Sequence, residues 1–275
     1  MTEQPTLILN DGHAMPQLGL GVWPMPDAQC TPAVAIALEA GYRLVDTAAI
    51  YRNEPGVGAG LRRTAIPRGK IFITTKLWND GHGTARPAAA LDESLGRLGL
   101  DAVDLYLIHW PTPAMNRYVE TWRALIGLRD GGKARSIGVS NFTPLQLTRL
   151  MDETGVVPAV NQVELHPRFQ QRELRAFHAD HGIATQCWSP LGQGRLLDDP
   201  VLRDIAHKHE RTPAQIALRW HLDLGLSPIP KSATAHRIRE NIAIFDFRLD
   251  EADHARIAGL DDPRGRLGPH PDDFN

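Results

Sequence analysis

The sequence predicts one domain over residues 1–275, an α/β fold of the (β/α)8 barrel (TIM barrel) type with an N-terminal β-hairpin closing the barrel bottom. Three observations carry that expectation. Eight short apolar stretches recur at 19–23, 43–47, 71–77, 103–109, 136–140, 159–165, 184–189 and 227–230, with helical periods between them. Several are nearly continuous in apolar character, as strands covered on both faces of a parallel sheet should be. The chain also has no composition break or long linker, and its 275 residues suit one such barrel. An open doubly wound sheet would place a Gly-x-Gly-x-x-Gly fingerprint after its first strand, and none is present. Gly56-Val57-Gly58-Ala59-Gly60 has the wrong spacing and reads as helix packing.

Taken in order, Asn10-Asp11-Gly12 is the turn of the hairpin. A helix over 33–40 stops at Gly41, one over 87–98 at Gly99, and one over 117–129 at Gly131-Gly132. Glycine belongs there because a left-handed C-cap residue carries no Cβ penalty. Thr143-Pro144 and Thr212-Pro213 pair an N-cap hydroxyl with a first-turn proline, opening helices that run toward Met151 and Trp220. Trp122 and Trp220 fall within helical periods and read as structural.

Composition narrows the function classes. No run approaches the roughly 18 apolar residues of a membrane span. A net charge of -2, dispersed along the chain, offers no footprint for a nucleic acid or an anionic membrane. The first residues have neither a charged n-region nor an apolar h-region, so a cytoplasmic location is expected. Cys30 and Cys187 read as reduced core thiols. No zinc pattern organises the histidines: His207 and His209 lie on different helix faces and are expected at the solvated surface. No metal site is expected.

Polar residues collect at one end of the expected strands. Asp46, Lys76 and His109 close the second, third and fourth, and Tyr51 follows on the loop after the second. C-terminal strand ends of a barrel converge on one mouth, so an acid, an amine, an imidazole and a phenol are brought together. An ammonium beside a phenol lowers its affinity for the proton, a carboxylate holds that ammonium charged, and an imidazole can orient a substrate oxygen. Trp23, Trp78 and Trp110, at or just beyond strand ends, would line the pocket beside His109.

These residues stand in segments that resemble the aldo-keto reductase family: Gly41 through Glu54, Thr75 through Trp78, Asp104 through Pro111, Ile137 through Phe142, Asn161 through Pro167, Ser189 through Gly192, and Ile229 through Thr234. The likeness runs from about Thr6 to the C-terminus. It implies catalytic roles for Asp46, Tyr51, Lys76 and His109, with Tyr51 the general acid in reduction. It implies NADPH as cofactor, the nicotinamide carboxamide held by Ser140, Asn141 and Gln162 and its ring stacked on Trp188, where many members carry Tyr. Ser189, Leu191, Gly192 and Gln193 match a loop over the pyrophosphate. Lys231, Ser232, Thr234 and Arg237 match a cluster for the 2′-phosphate, with Glu240 and Asn241 near the adenine.

Lys76 through Asp80, His109 through Pro113, Gln170 through Glu173, Leu191 through Gly194 and His270 through Phe274 are similar to the bacterial 2,5-diketo-gluconate reductases and their prokaryotic relatives. That implies small aldehydes, ketones or keto-sugar acids as substrates, a monomer, and a short tail that leaves the pocket open. Two other classes stay in view: an NADPH-binding sensor with little turnover, and a metal-dependent barrel hydrolase, which would need more His or carboxylate ligands at the strand ends than His109 and Asp46.

Overall fold

The structure is a computed structural model that describes residues 4–275. The chain opens with β1 (Thr6–Ile8) and β2 (Ala14–Pro16), paired antiparallel with Leu7 opposite Met15. Their turn closes because Gly12 adopts a φ of 86°, left-handed and free of penalty only for glycine, while its N–H donates to the Leu9 carbonyl. Met15 is fully buried and, with Leu9, packs in a cluster with Leu44, Phe72, Leu105, Leu107, Val160 and Ile229. The last six belong to the barrel interior, so the hairpin plugs its floor.

The barrel strands are β3 (Leu20–Gly21), β4 (Leu44–Asp46), β5 (Phe72–Leu77), β6 (Val103–Ile108), β7 (Ala134–Ser140), β8 (Val160–Glu164), β9 (Ala184–Trp188) and β10 (Ser227–Pro228). Each pairs parallel with the next. All eight lie within about two residues of their expected bounds, the ordinary error of reading boundaries from sequence. The ring closes where Gly21 bridges Lys231 and where Gly19 and Gly21 donate N–H to the carbonyls of Pro228 and Pro230, both at 3.1 Å. A Cβ on Gly21 would sit 2.7 Å from the Ile229 carbonyl oxygen, so the seam admits only glycine. The last strand is short because Pro228 and Pro230 have no N–H to pair.

Helix α1 (Asp27–Ala40) follows β3, α2 (Glu54–Leu61) follows β4, α3 (Arg86–Leu98) follows β5, α4 (Tyr118–Asp130) follows β6, α5 (Pro144–Thr154) follows β7 and α6 (Arg172–Asp180) follows β8. Two helices, α7 (Pro200–His209) and α8 (Pro213–Asp223), follow β9; α9 (Ala235–Ile242) and α10 (Glu251–Ala258) follow β10. Helix α1 begins six residues before the expected 33, running through Pro32. Proline there forfeits the bond to the carbonyl of Ala28, which is exposed and within reach of water. Thr143 and Thr212 each form a capping box, with Gln146 and Gln215, a feature worth about 1 kcal/mol per helix. Gly56, Gly58 and Gly60 do serve helix packing: a Cβ on any of them would strike α1 or the end of α3.

Strand parity decides what faces where. Val45, Ile73, Tyr106, Ile137, Val163 and Cys187 point outward into the large cluster under the helices. Their neighbours point into the barrel, apolar near the floor (Leu44, Phe72, Leu105, Val160) and polar toward the mouth (Asp46, Lys76, Gln162). Cys30 and Cys187 are free buried thiols; burial, helped by Asp27, pushes Cys30 up to about 12. His209 departs from its expected solvated surface, since its Nε2 lies 2.7 Å from the Asp253 carboxylate.

Candidate active site

Lys76 Nζ stands at the centre of the mouth, fully buried, and donates to Asp46 Oδ1 at 2.6 Å, to the Thr47 carbonyl at 2.8 Å and to the Tyr51 hydroxyl at 3.4 Å. Asp46 ends β4, Lys76 is the penultimate residue of β5, and His109 lies one residue past β6. The His109 ring is 5.6 Å from the Tyr51 ring, edge to face. The expected group of four is thus assembled at one end of the barrel.

Burial works against the Lys76 charge, but Asp46 and Tyr51 outweigh it and hold the ammonium above an ordinary lysine. Burial raises the Asp46 carboxyl, and the Lys76 charge and the N–H of Gln162 oppose it. The Tyr51 phenol is also raised: burial dominates, Lys76 pulls down, and Asp46 adds to the rise. The expectation that the ammonium lowers the phenol therefore needs correcting. Its pull is present, but desolvation exceeds it, and the group stands as a neutral phenol. Burial, then the Lys76 charge, hold His109 well below an ordinary histidine, so the imidazole is neutral; its Nδ1 is buried without a partner among the described residues.

The loop that carries Tyr51 is anchored by residues outside the expected site. Asn53 is fully buried, donates from Nδ2 to the carbonyls of Val22 (3.1 Å) and Met25 (2.9 Å), and accepts from Thr47 Oγ1 at 2.8 Å. Glu54 accepts from Thr75 Oγ1 and from Arg97 Nε, both at 2.6 Å, tying α2 to the strand residue before Lys76.

Beside the four, Gln162 Nε2 donates to Asp46 Oδ2 at 2.7 Å, and Ser140 Oγ donates to the Gln162 carbonyl at 2.8 Å. Asn141, left-handed at φ 64°, donates to the His109 carbonyl and accepts from Trp188 Nε1 at 2.8 Å. The indole N–H thereby orients the Trp188 ring. Ser189 and Gln193 are left-handed too, with Leu191 and Gly192 between them in a tight turn. Lys231, Thr234 and Arg237 are exposed, and the buried Ser232 accepts the Thr234 N–H. Asn241 is buried, and Glu240 is tied to α8, accepting from Thr212 Oγ1 at 2.8 Å.

Aromatic rings form a wall: Trp23 is 6.5 Å from Tyr51, and Trp78 is 5.1 Å from His109. The Phe274 ring lies tilted 4.5 Å from Trp110 and edge-on 6.2 Å from Trp78, so the tail reaches the rim of the mouth. Glu164 brings it there. Its fully buried carboxylate accepts the N–H groups of Leu267 (2.6 Å) and Gly268 (2.8 Å). No periodicity announces either residue; a carboxylate at an inward strand position is the only local sign for Glu164.

Fold and site together describe a barrel protein whose chemistry lies at the C-terminal mouth. The Aldo/keto reductase family model matches residues 15–262. The chain is 54% identical over 271 residues to an aldo-keto reductase of Mycolicibacterium smegmatis, covering 98% of each. It is 54% identical over 273 residues to methylglyoxal reductase DkgA of Escherichia coli, again covering 98% of each. Among solved structures, a mutant of Gox0644 in complex with NADPH superposes with a TM-score of 0.95 at 50% identity, over 99% of both chains. This chain belongs to the aldo-keto reductase family.

Proposed function

We propose that the chain is an NADPH-dependent oxidoreductase that reduces small carbonyl compounds to alcohols, with Tyr51 as proton donor. The observation that carries this reading is the neutral Tyr51 phenol 3.4 Å from an ammonium that Asp46 holds charged. Tyr51 gives its proton to the carbonyl oxygen as negative charge develops there. Lys76 stabilises the phenolate left behind, and Asp46 keeps Lys76 charged and oriented. His109, neutral, offers one N–H to the same oxygen and fixes its direction.

The mouth fits the cofactor. Ser140, Asn141 and Gln162 offer amide and hydroxyl partners beside Asp46 for a carboxamide, and Trp188 offers a ring held by Asn141. Lys231 and Arg237 are exposed cations suited to a 2′-phosphate; the ion pair of α9, His236 with Glu240 at 3.6 Å, involves neither. When bound, NADPH supplies the hydride that becomes the new C–H bond. The ring wall of Trp23, Trp78, Trp110 and Phe274 suits a small body with little charge, and the Escherichia coli relative carries the name methylglyoxal reductase. An α-oxo aldehyde is the first substrate to try and a keto-sugar acid such as 2,5-diketo-gluconate the second.

Tyr51→Phe tests the reading. Turnover should fall about 10²- to 10⁴-fold, the usual worth of a positioned acid, while NADPH binding by tryptophan fluorescence is retained. Near wild-type turnover in that variant would remove Tyr51 from its role. NADPH binding by the wild-type protein with no turnover across aldehydes, ketones and keto-sugar acids would favour a sensor instead.

A further inference from the structure

Asp46 is the end of a file of buried side chains running from mouth to floor. Gln162 Nε2 donates to Asp46 Oδ2 at 2.7 Å and to Gln186 Oε1 at 2.6 Å. Gln186 Nε2 in turn faces Ser227 Oγ at 3.3 Å and Met15 Sδ at 3.8 Å. Gln162, Gln186, Ser227 and Met15 are each at most 1% exposed, and they come from β8, β9, β10 and the hairpin.

Hydrogen-bond capacity gives this file a direction. A carboxylate only accepts, so Asp46 requires the NH2 end of Gln162. Gln186 Oε1 also only accepts, and it takes the second N–H of the same group. Turning the Gln162 amide over would set its oxygen against two acceptors at once. The Gln186 amide is oriented from below, because the Met15 sulfur is a weak acceptor and never a donor, which selects Nε2 on the floor side. Both N–H groups of Gln162 are thereby committed, and its Oε1 is the atom of that amide left to accept from a bound carboxamide.

We propose that Gln186, buried one layer beneath the site, is a positioning residue: it locks the Gln162 amide so that one N–H is always donated to Asp46. This rests on the function proposed above. With Gln186 gone the amide is held by Asp46 alone and turns more freely; the weakened donor leaves the Asp46 carboxylate less favoured, so Asp46 takes up a proton at a higher pH and Lys76 then loses the charge that faces it.

The experiment compares Gln186→Met and Gln186→Glu, with Tyr51→Phe in parallel. Methionine has nearly the volume of glutamine but neither its acceptor nor its donors. A buried neutral glutamic acid keeps a C=O for Gln162 and an O–H for Ser227. In Gln186→Met the acidic limb of the kcat/KM profile should move to higher pH by about one unit, the size expected for a lost hydrogen bond to a charged group. Gln186→Glu should restore the wild-type limb. A purely structural role would reduce thermal stability and active fraction without moving the limb. A wild-type profile in Gln186→Met, or one displaced equally in Gln186→Glu, overturns the proposal even with Tyr51→Phe inactive as expected. Should Tyr51→Phe instead turn over normally, the function reading falls, and hydrogen exchange of the Gln162 side-chain amide decides the rest. Exchange should be at least about tenfold faster in Gln186→Met, since protection follows local opening; unchanged exchange overturns it.

Discussion

Replacing Lys76 by methionine separates the two things that residue does. The side chain is fully buried and satisfies Asp46, the Thr47 carbonyl and the Tyr51 hydroxyl together. Methionine fills much of the same volume but leaves Asp46 with Gln162 as its remaining donor. Removing one partner of a buried ion pair costs about 3–5 kcal/mol, because the other charge stays desolvated and unpaired. With a total stability of about 10 kcal/mol, the middle of the usual range, the variant still folds. At about 2–4 °C per kcal/mol for a chain of this size class, its unfolding temperature should fall by roughly 6–20 °C. Asp46→Asn combined with Lys76→Met removes the stranded charge and should recover most of that loss. Turnover should stay depressed by at least about 10³-fold in both, since neither has an ammonium to stabilise a phenolate. Circular dichroism melts paired with NADPH-oxidation rates read the two effects independently. A single variant that melts with the wild type, or a double variant no more stable than the single, would refute the coupling of Asp46 to Lys76.

Two further outcomes are expected. Burial holds His82 at about 4, His178 at about 3 and His221 at about 4, against 6.5 ordinarily, so between those values the unfolded chain binds protons that the folded chain refuses. Stability contributed by the three is present above pH 6.5 and is lost as pH falls toward 4, with a limiting slope of roughly 4 kcal/mol per pH unit; urea midpoints that stay level between pH 7 and 5 would contradict it. Arg237→Ala should raise the KM for NADPH about tenfold or more with kcat little changed and the KM for NADH unmoved, and an unaltered preference between the two nucleotides would take Arg237 out of the phosphate cluster.

Much of the fold could be read from the chain because its signals are local. The strands are short apolar runs, Thr143 and Thr212 sit three residues before their glutamines, and the floor hairpin turns at Gly12. Asp46, Lys76 and His109 were legible for a related reason, being polar residues at the ends of such runs. What was missed depends on register and distance. Gln186 looks like a polar interruption of an apolar strand until Gln162 is aligned opposite it in the β8–β9 pairing. Glu54 finds Arg97 across 43 positions, and Glu164 finds Leu267 across 103, pairings that no spacing rule anticipates.

The one sign read wrongly, that of the Tyr51 phenol, follows from the same distinction. An ammonium beside a phenol is a local fact, whereas desolvation belongs to the whole mouth and outweighs it. With Asp46 and Lys76 paired at 2.6 Å, His109 neutral and the phenol protonated, the buried cluster carries no net charge, which burial penalises less than it would a net charge. A deprotonated Tyr51 would break that balance before any substrate arrived. On the proposed function, the phenol keeps its proton until a carbonyl oxygen begins to take on negative charge, and the phenolate then left behind gives the cluster a net negative charge that the Lys76 ammonium faces directly. A raised phenol is the weaker acid, so on this reading the transfer depends on Lys76, which must stabilise the phenolate as the proton leaves.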